Sequence, residues 1–266
     1  MNMLPHDEGG RRMNMLPHDE FGRRMSMLPH AEDGRRRRTG RKMGREKLGR
    51  TDDMQIINRP MDIENRSMQI IGQELADMGI RVPDENRETV YRAIHASADF
   101  DYAKNLVFLN DAVKKGIEAV RTGKAIITDT NMALSGIHKK ILDRYGNPCV
   151  CYMSDEEVSR RAKSLGTTRA EVSMEKASQV FPGGIYAIGN APTALLKLVD
   201  LVESGMRPAL VVGVPVGFVN VLESKDKIRA VCETYRIPAI IAQGRKGGSS
   251  IAAAILNSII YKAAGR

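Results

Sequence analysis

From residue 60 to the end of the chain, short apolar runs alternate with segments of helical periodicity. This alternation limits the folds that the chain can adopt. The runs have the length of buried strands and end at turn or cap residues: 125–128, 150–153, 185–188, 209–214 and 239–242. Apolar strands separated by helices form largely parallel sheets that are covered on both faces. The sequence therefore predicts an α/β protein, with a three-layer α/β/α arrangement around a largely parallel central sheet.

Three helices are predicted before the first apolar run. Apolar residues recur at helical spacing near 61–78 and near 84–97. A third helix is predicted to be capped by Asn110 and to end by Gly123.

Two capping boxes predict helices in the middle of the chain. Ser154 with Glu157, and Thr168 with Glu171, each place a side-chain oxygen three residues before a glutamate. They predict helices at about 155–164 and 169–179. Later helices are predicted from Asn190, near 219–235, and from Ser249.

Ligands of parallel sheets bind at the carboxyl ends of the strands, which here lead into loops 189–193, 215–220 and 243–250. The last of these contains Gly244-Arg-Lys-Gly-Gly-Ser-Ser250, which combines two cations with flexible backbone. The segment is similar to an anion nest, and a structural tight turn is the alternative. It lacks the order of a phosphate-binding P-loop, and the chain has no G-x-G-x-x-G, so a nicotinamide dehydrogenase is not supported.

His95 and Arg92 lie three residues apart on a predicted helix and so project from one face. A neutral imidazole beside an anionic ligand can exchange a proton near neutral pH. On spacing alone, a histidine that satisfies capping or core hydrogen bonds is the better-supported interpretation.

Two further segments place a cation where an anion could bind. Arg169 lies in the first turn of a capped helix, where its guanidinium and free backbone N–H groups could bind a carboxylate together. A solvated surface arginine is an equal alternative. Arg66 and Ser67 pair a cation with a hydroxyl, although a surface position explains them as well. Together the strand ends suggest a polycarboxylate or phosphate ligand.

Cysteine content and hydropathy limit the cellular compartment and the kinds of site that we expect for this chain. Cys149, Cys151 and Cys232 are too few and too scattered for a disulfide framework, and no histidine pair lies nearby to complete a zinc site. No apolar stretch reaches the roughly 18 residues of a membrane helix. We expect a cytoplasmic protein with no membrane association and no metal site.

Residues 1–58 differ from the rest of the chain. Met-x-Met-Leu-Pro-His begins at Met1, Met13 and Met25, and residues 1–60 hold 14 Lys and Arg against 9 Asp and Glu. This composition predicts a disordered basic arm, followed by a folded domain over 59–266. The arm could bind a polyanion or chelate a metal weakly through its histidines, and a solvated tail is the favoured interpretation. Because no aromatic residues are interleaved with the arginines, nucleic-acid binding is not expected.

Across residues 61–260 the sequence resembles the precorrin-8X methylmutase family of corrin-ring synthesis. The most specific segments are Ile-Gly-Asn-Ala-Pro-Thr-Ala-Leu from Ile188 and Pro-Val-Gly-Phe-Val from Pro215. The remaining matches lie, in the family's order, at 64–71, 92–95, 126–132, 165–169, 223–225 and 244–249. The resemblance does not extend to the arm.

The resemblance implies an isomerase that needs no cofactor and moves a methyl group from carbon eleven to carbon twelve of a tetrapyrrole, precorrin-8X or cobalt-precorrin-8. The family's proton donor and acceptor falls on His95, and its substrate-binding positions fall on Ser67, Arg92, Arg169, Asn190, Gly217 and Lys225. The family acts as a homodimer with sites near the subunit interface. The competing hypothesis is a polyanion-binding α/β module that uses the basic arm.

Overall fold

The computed structural model describes residues 59–266, so the predicted disorder of residues 1–58 and the boundary after residue 58 lie outside the described residues. The helices are α1 Pro60–Asp77, α2 Asp84–Ser97, α3 Tyr102–Asn105, α4 Ala112–Arg121, α5 Asn131–Gly136, α6 Lys139–Leu142, α7 Glu156–Leu165, α8 Arg169–Val180, α9 Pro192–Glu203, α10 Val221–Thr234 and α11 Ser249–Ala263. The strands are β1 Leu106–Leu109, β2 Ile126–Thr128, β3 Cys149–Val150, β4 Ile185–Ile188, β5 Leu210–Gly213 and β6 Ala239–Ala242.

The strands form one six-stranded sheet in the order β1-β6-β5-β4-β2-β3. Four of its five pairings are parallel, with Ile185 of β4 opposite Ile126 of β2 on one side and Leu210 of β5 on the other. Only β1 runs antiparallel, along the edge of β6. The prediction of a largely parallel sheet is confirmed.

Alternate residues of each strand enter two different cores. In β4, Ile185 and Ala187 pack with α1, α2, α4 and α11, whereas Tyr186 and Ile188 pack with α8, α9 and α10. Both faces of the strand are therefore apolar, which explains why β4 reads as a continuous apolar run. The three-layer α/β/α prediction is confirmed.

Four short elements were not predicted: β1, α3, α5 and α6. Each has only four to six residues, too few to show a period. The run at 150–153 was predicted as a strand, but pairing stops after Val150.

Three predicted helix caps, those at Asn110, Ser154 and Asn190, are wrong by one residue. Asn110 does not cap α4, whose N-cap residue is Asp111; the Asn110 side-chain NH2 group donates to the carbonyls of Cys232 at 3.0 Å and Ile237 at 2.8 Å. Asp155 replaces Ser154 as the cap of α7 and accepts from the backbone N–H of Val158. Thr168 caps α8 as predicted.

The topology creates one crevice at the carboxyl edge of the sheet. The chain leaves β2 toward β3 on one side and leaves β4 toward β5 on the other, so the crossovers diverge between β2 and β4. Open α/β sheets bind ligands at such a switch point.

Among residues 59–266, no helix has the length and apolar character needed to cross a membrane.

Candidate active site

Hydrogen bonds join the loops at the carboxyl edge of the sheet into one surface. The N–H of Gly248 donates to the carbonyl of Val214 at 2.9 Å, and the N–H of Gly217 donates to that of Arg245 at 3.3 Å. The loops after β5 and β6 are thus tied together at two points. The sequence predicted these loops as ligand-binding segments, and the structure brings them side by side.

Asp129 lies at the switch point and is completely buried. Its carboxylate accepts three backbone N–H groups, from Gly189 at 2.9 Å, Asn190 at 2.8 Å and Ala191 at 2.7 Å. Burial raises the pKa of the Asp129 carboxyl, and the three donors oppose that rise. The protein's own carboxylate therefore occupies the N–H groups that precede α9.

This arrangement changes what Asn190 can offer a ligand. Asn190 was predicted to open α9 and to bind substrate, but α9 begins at Pro192 after Ala191. The backbone N–H of Asn190 is committed to Asp129, whereas the residue itself is exposed. Only its side chain remains available to a ligand.

The glycine-rich loop after β6 is mostly a packed structural turn. Lys246 forms ion pairs with Asp99 at 2.7 Å and with Asp101 at 2.6 Å. The hydrogen bond from the Lys246 ammonium lowers the pKa of the Asp99 carboxyl. A Cβ atom on Gly247 would lie 2.1 Å from the carbonyl oxygen of Val214, so only glycine fits there. Of the loop's two cations, Arg245 and Lys246, the second is therefore already paired with carboxylates of the protein.

Lys225 lies in α10 with only 2% of its surface exposed. Its ammonium donates to the carbonyls of Gly244 at 2.7 Å and Lys246 at 2.9 Å. Burial lowers the pKa of Lys225 to about 8. The resemblance predicts that this residue binds substrate, and in the structure its ammonium is engaged by these two main-chain carbonyls.

Gly217 lies in an exposed apolar segment at the same edge. Its φ angle of 150° is one that glycine adopts readily and other residues rarely do. The neighbouring Phe218 and Val219 are 84% and 77% exposed. The guanidinium of Arg245 lies 5.6 Å from the centre of the Phe218 ring. The segment offers an apolar wall with a cation beside it.

His95 lies in the last turn of α2 and is exposed. Its imidazole has no hydrogen-bond partner among residues 59–266. It therefore makes none of the capping or core hydrogen bonds that one interpretation of the sequence suggested. The chain that follows it carries Asp99 and Asp101, which hold Lys246. The end of α2 is therefore fastened to the glycine-rich loop.

Arg92 is already paired with carboxylates of the protein in this arrangement. Its guanidinium pairs with Glu64 at 2.7 Å and Glu88 at 3.1 Å, and it lies 4.4 Å from the centre of the Tyr261 ring. A surface recess of about 390 Å³ adjoins it, lined by Met61, Glu64, Asn65, Arg92, Tyr261 and Arg266. A substrate carboxylate would have to displace one of the two glutamates.

Ser67 lies half-buried on α1, three residues after Glu64. Its hydroxyl donates to the carbonyl of Ile63 at 2.8 Å, which is a common helical back-bond. The hydroxyl keeps its acceptor lone pairs. Glu64 and Arg92 connect this part of α1 to α2, but the hydrogen bonds of the carboxyl edge do not include Ser67.

Arg169 is the first residue of α8 and is exposed. Its guanidinium makes a long contact of 3.4 Å to the carbonyl of Met153 and pairs with no carboxylate among the described residues. The preceding Thr168 hydroxyl lies 2.9 Å from that of Thr193 in the first turn of α9. Arg169 therefore stands beside the switch point with its charge available.

Sequence reasoning missed Asp129 and the pairing of Lys246, and it did not separate Arg245 from Lys246 as the open cation of the loop. Asp129 directly follows a buried strand, a position that could have identified it, because strand ends carry the functional residues of parallel sheets. The partners of Lys246 lie about 145 residues earlier, and no local pattern connects them.

Neither metal-binding clusters nor the larger recess adds a site. Within residues 59–266, no three His, Cys, Asp or Glu side chains lie together as a metal would require. Cys149 and Cys151 are both free thiols. A recess of about 510 Å³ between α4 and the ends of α2 and α11 contains none of the candidate site residues.

Comparison with known proteins gives a consistent result. The chain matches the family described as precorrin-8X methylmutase over residues 62–262. It is 42% identical over 211 residues to the cobalt-precorrin-8 methylmutase of Priestia megaterium, which covers 79% of this chain and 91% of that protein. It is 35% identical over 198 residues to the precorrin-8X methylmutase of a Sinorhizobium species, which covers 74% and 92%.

A solved structure agrees with these relatives. The precorrin-8X methylmutase of Thermus thermophilus superposes with a TM-score of 0.68 at 38% identity, covering 76% of this chain and 98% of that one. The resemblance seen in the sequence is confirmed over nearly the whole described body. The chain therefore belongs to the precorrin-8X methylmutase family, enzymes of cobalamin biosynthesis whose reaction is an isomerisation.

Proposed function

We propose that this enzyme moves a methyl group from carbon eleven to carbon twelve of precorrin-8X, giving hydrogenobyrinate, or converts cobalt-precorrin-8 to cobyrinate. This chain matches relatives named for each of the two substrates, and each match spans more than nine-tenths of the relative's length. The substrate is a flat apolar ring rimmed by acetate and propionate groups. It therefore needs apolar walls and a cationic margin, and the carboxyl edge supplies both kinds of group.

His95 is the proposed proton donor and acceptor. The observation that carries this role is that His95 is exposed and unbonded among residues 59–266, at the end of a helix fastened to the carboxyl-edge loops. The imidazolium would pass its proton to the conjugated nitrogen system of the ring, the methyl group would migrate, and the ring would return the proton.

Arg169 is the proposed main cation of the margin, because its guanidinium pairs with no carboxylate among the described residues. The fork of an arginine binds a carboxylate through two parallel hydrogen bonds. The Asn190 side chain and the backbone at Gly217 lie on the same edge and are proposed to contact the ring. Arg92 would join the site by exchanging Glu64 or Glu88 for a substrate carboxylate, with Ser67 beside it.

A homodimer is proposed as the working state. Helix α1 leaves Met61 73%, Ile63 45% and Ile70 43% exposed, and Met61 also lines the recess beside Arg92. A second copy packed against Met61 would bury apolar surface and enclose Arg92. The three cysteines form no disulfide, which supports a reducing compartment such as the cytoplasm.

Replacing His95 tests the proton role. His95→Ala should lower turnover of precorrin-8X by roughly 10²- to 10⁴-fold, the usual contribution of a positioned acid or base. Binding of hydrogenobyrinate, followed by its visible spectrum, should change little, because the arginine margin is intact. Ser97→Ala is the matched control, since it alters the same turn of α2 without removing a titrating group, and it should leave turnover unchanged.

Two outcomes would decide against this assignment. Normal turnover by the His95→Ala enzyme would show that another group handles the proton. Loss of hydrogenobyrinate binding in the same variant would show that His95 holds the ring rather than activates it. Running each assay with metal-free and cobalt-loaded substrate identifies which of the two the enzyme converts.

A further inference from the structure

Arg245 is an exposed cation that the proposed site does not yet use. It lies in the loop after β6 and makes no ion pair within residues 59–266. The adjacent Lys246 is held by both Asp99 and Asp101. Two neighbouring cations in one loop therefore differ, since one is neutralised inside the protein and the other is left open beside the apolar wall.

The backbone around Arg245 is fixed by three consecutive carbonyls. Lys225 binds the carbonyl before it and the carbonyl after it, at 2.7 Å and 2.9 Å. The carbonyl of Arg245 itself accepts the N–H of Gly217 at 3.3 Å. With all three peptide groups held, the Arg245 side chain leaves the loop in one direction, over the ring of Phe218.

Lys225 is an unusual residue for this purely structural position. No carboxylate among the described residues pairs with it, and the groups facing its ammonium are main-chain carbonyls of the loop. Burial of an unpaired ammonium disfavours its charge, which is why the pKa of Lys225 falls to about 8. An apolar side chain of the same length would avoid that penalty but would leave both carbonyls without their donor.

We propose that Lys225 is a positioning residue that holds the 244–246 loop so that Arg245 binds a carboxylate on the rim of the substrate. The guanidinium supplies a two-point contact to the carboxylate, and Phe218 supplies apolar surface to the ring beside it. This inference rests on the proposed function for the identity of the substrate. It gives Lys225 a role through Arg245 rather than through direct contact.

A double-mutant cycle tests the proposal. Arg245→Gln should raise the KM for precorrin-8X by roughly 10- to 100-fold with kcat nearly unchanged, because a charge-assisted pair is lost from binding. Lys225→Met should raise KM to a similar extent. The double variant should be no worse than the poorer single variant, since the two residues act as one unit. Lys227→Met is the control, an exposed lysine two residues along α10 that should change nothing.

Binding measurements separate this inference from the proposed reaction. The dissociation constant of hydrogenobyrinate is measured beside that of a corrinoid whose carboxylates have been converted to amides. The wild-type enzyme should prefer the acid, and Arg245→Gln should lose much of that preference. If the acid preference changes as expected but no variant or wild-type enzyme turns over precorrin-8X, the reaction assignment fails while the role of Arg245 stands.

The opposite results would overturn the inference. An unchanged KM and unchanged acid preference in Arg245→Gln would show that Arg245 does not bind the rim. Effects that multiply in the double variant would show that Lys225 acts independently of Arg245. If Lys225→Met does not fold, Lys225→Gln replaces it, because its amide retains N–H donors, and the same non-additivity with Arg245→Gln is required.

Discussion

Replacing Gly247 with alanine should damage the carboxyl edge more than any other single methyl group added there. The Cβ atom would lie 2.1 Å from the carbonyl oxygen of Val214 and 2.8 Å from that of Pro215. Carbon and oxygen make contact at roughly 3.3 Å, so the two backbones must separate by about 1.2 Å. Both obstacles are main-chain atoms, and Val214 is fully buried, so no side chain can rotate away.

The cost follows from two losses. Forcing an extra carbon into a packed region costs about 1–3 kcal/mol. Separating the two loop segments also breaks the hydrogen bond from Gly248 to Val214, which at 2.9 Å contributes about 0.5–1.5 kcal/mol. We therefore expect Gly247→Ala to lower the free energy of unfolding by about 2–4 kcal/mol. The KM should rise as well, because the displaced loop carries Arg245.

Urea unfolding of the full chain, followed by far-ultraviolet circular dichroism, measures this change. With a slope of about 2 kcal/mol/M, the midpoint should fall by about 1–2 M. Gly183→Ala is the matched control, since the atom nearest to its new Cβ is the Lys124 ammonium at 3.9 Å. That variant should gain about 0.4–1 kcal/mol from a less flexible unfolded chain. A Gly247→Ala midpoint as high as that of the control would refute the packing argument.

Two further predictions concern a helix cap and a buried charge. Thr168→Ala should lower the free energy of unfolding by about 1 kcal/mol, because the Thr168 hydroxyl caps the N–H of Glu171. Ser154→Ala should change it by less than about 0.5 kcal/mol, because Ser154 caps no helix. Equal urea midpoints for the two variants would contradict this prediction. Because the pKa of Lys225 is about 8 in the folded protein and 10.5 as its ordinary value, the unfolded chain holds more protons between those pH values, so this residue makes the protein more stable as pH rises. The unfolding free energy of wild type, relative to that of Lys225→Met, should therefore rise by up to about 1.4 kcal/mol per pH unit above pH 8. A difference that stays constant from pH 7.5 to 9.5 would show that the pKa is not lowered.

The central strands were predictable because burial on both faces leaves a continuous apolar run. Ile185–Ile188 and Ala239–Ala242 were predicted with their observed bounds. Leu106–Leu109 was missed because its single partner is β6, the edge pairing is antiparallel, and three of its four residues are only partly buried. A strand of this kind is recognised by the neighbour that it pairs with, and that neighbour lies more than 130 residues later.

Caps were less predictable than helices because two polar residues often stand next to each other before a helix. Ser154 and Asp155 are both suitable caps, but the Ser154 hydroxyl instead accepts from the side-chain amide of Asn131 at 2.9 Å. Asp155 accepts from the N–H of Val158 and also binds Lys176 at 2.8 Å on the neighbouring α8. Tertiary contact therefore moved the cap by one residue, which a local pattern cannot foresee.

The same reasoning explains why cations counted in the sequence overstate the charge available to a ligand. Lys246 is paired with two aspartates, Lys225 is enclosed by carbonyls, and Arg92 is held by two glutamates. Even the N–H groups before α9 are taken by Asp129. At the carboxyl edge the open guanidinium groups of the described residues are those of Arg169 and Arg245. On the proposed substrate, two open guanidinium groups leave part of a rim of several carboxylates unpaired, so the proposed contribution of Arg92 requires that it exchange Glu64 or Glu88 for a substrate carboxylate.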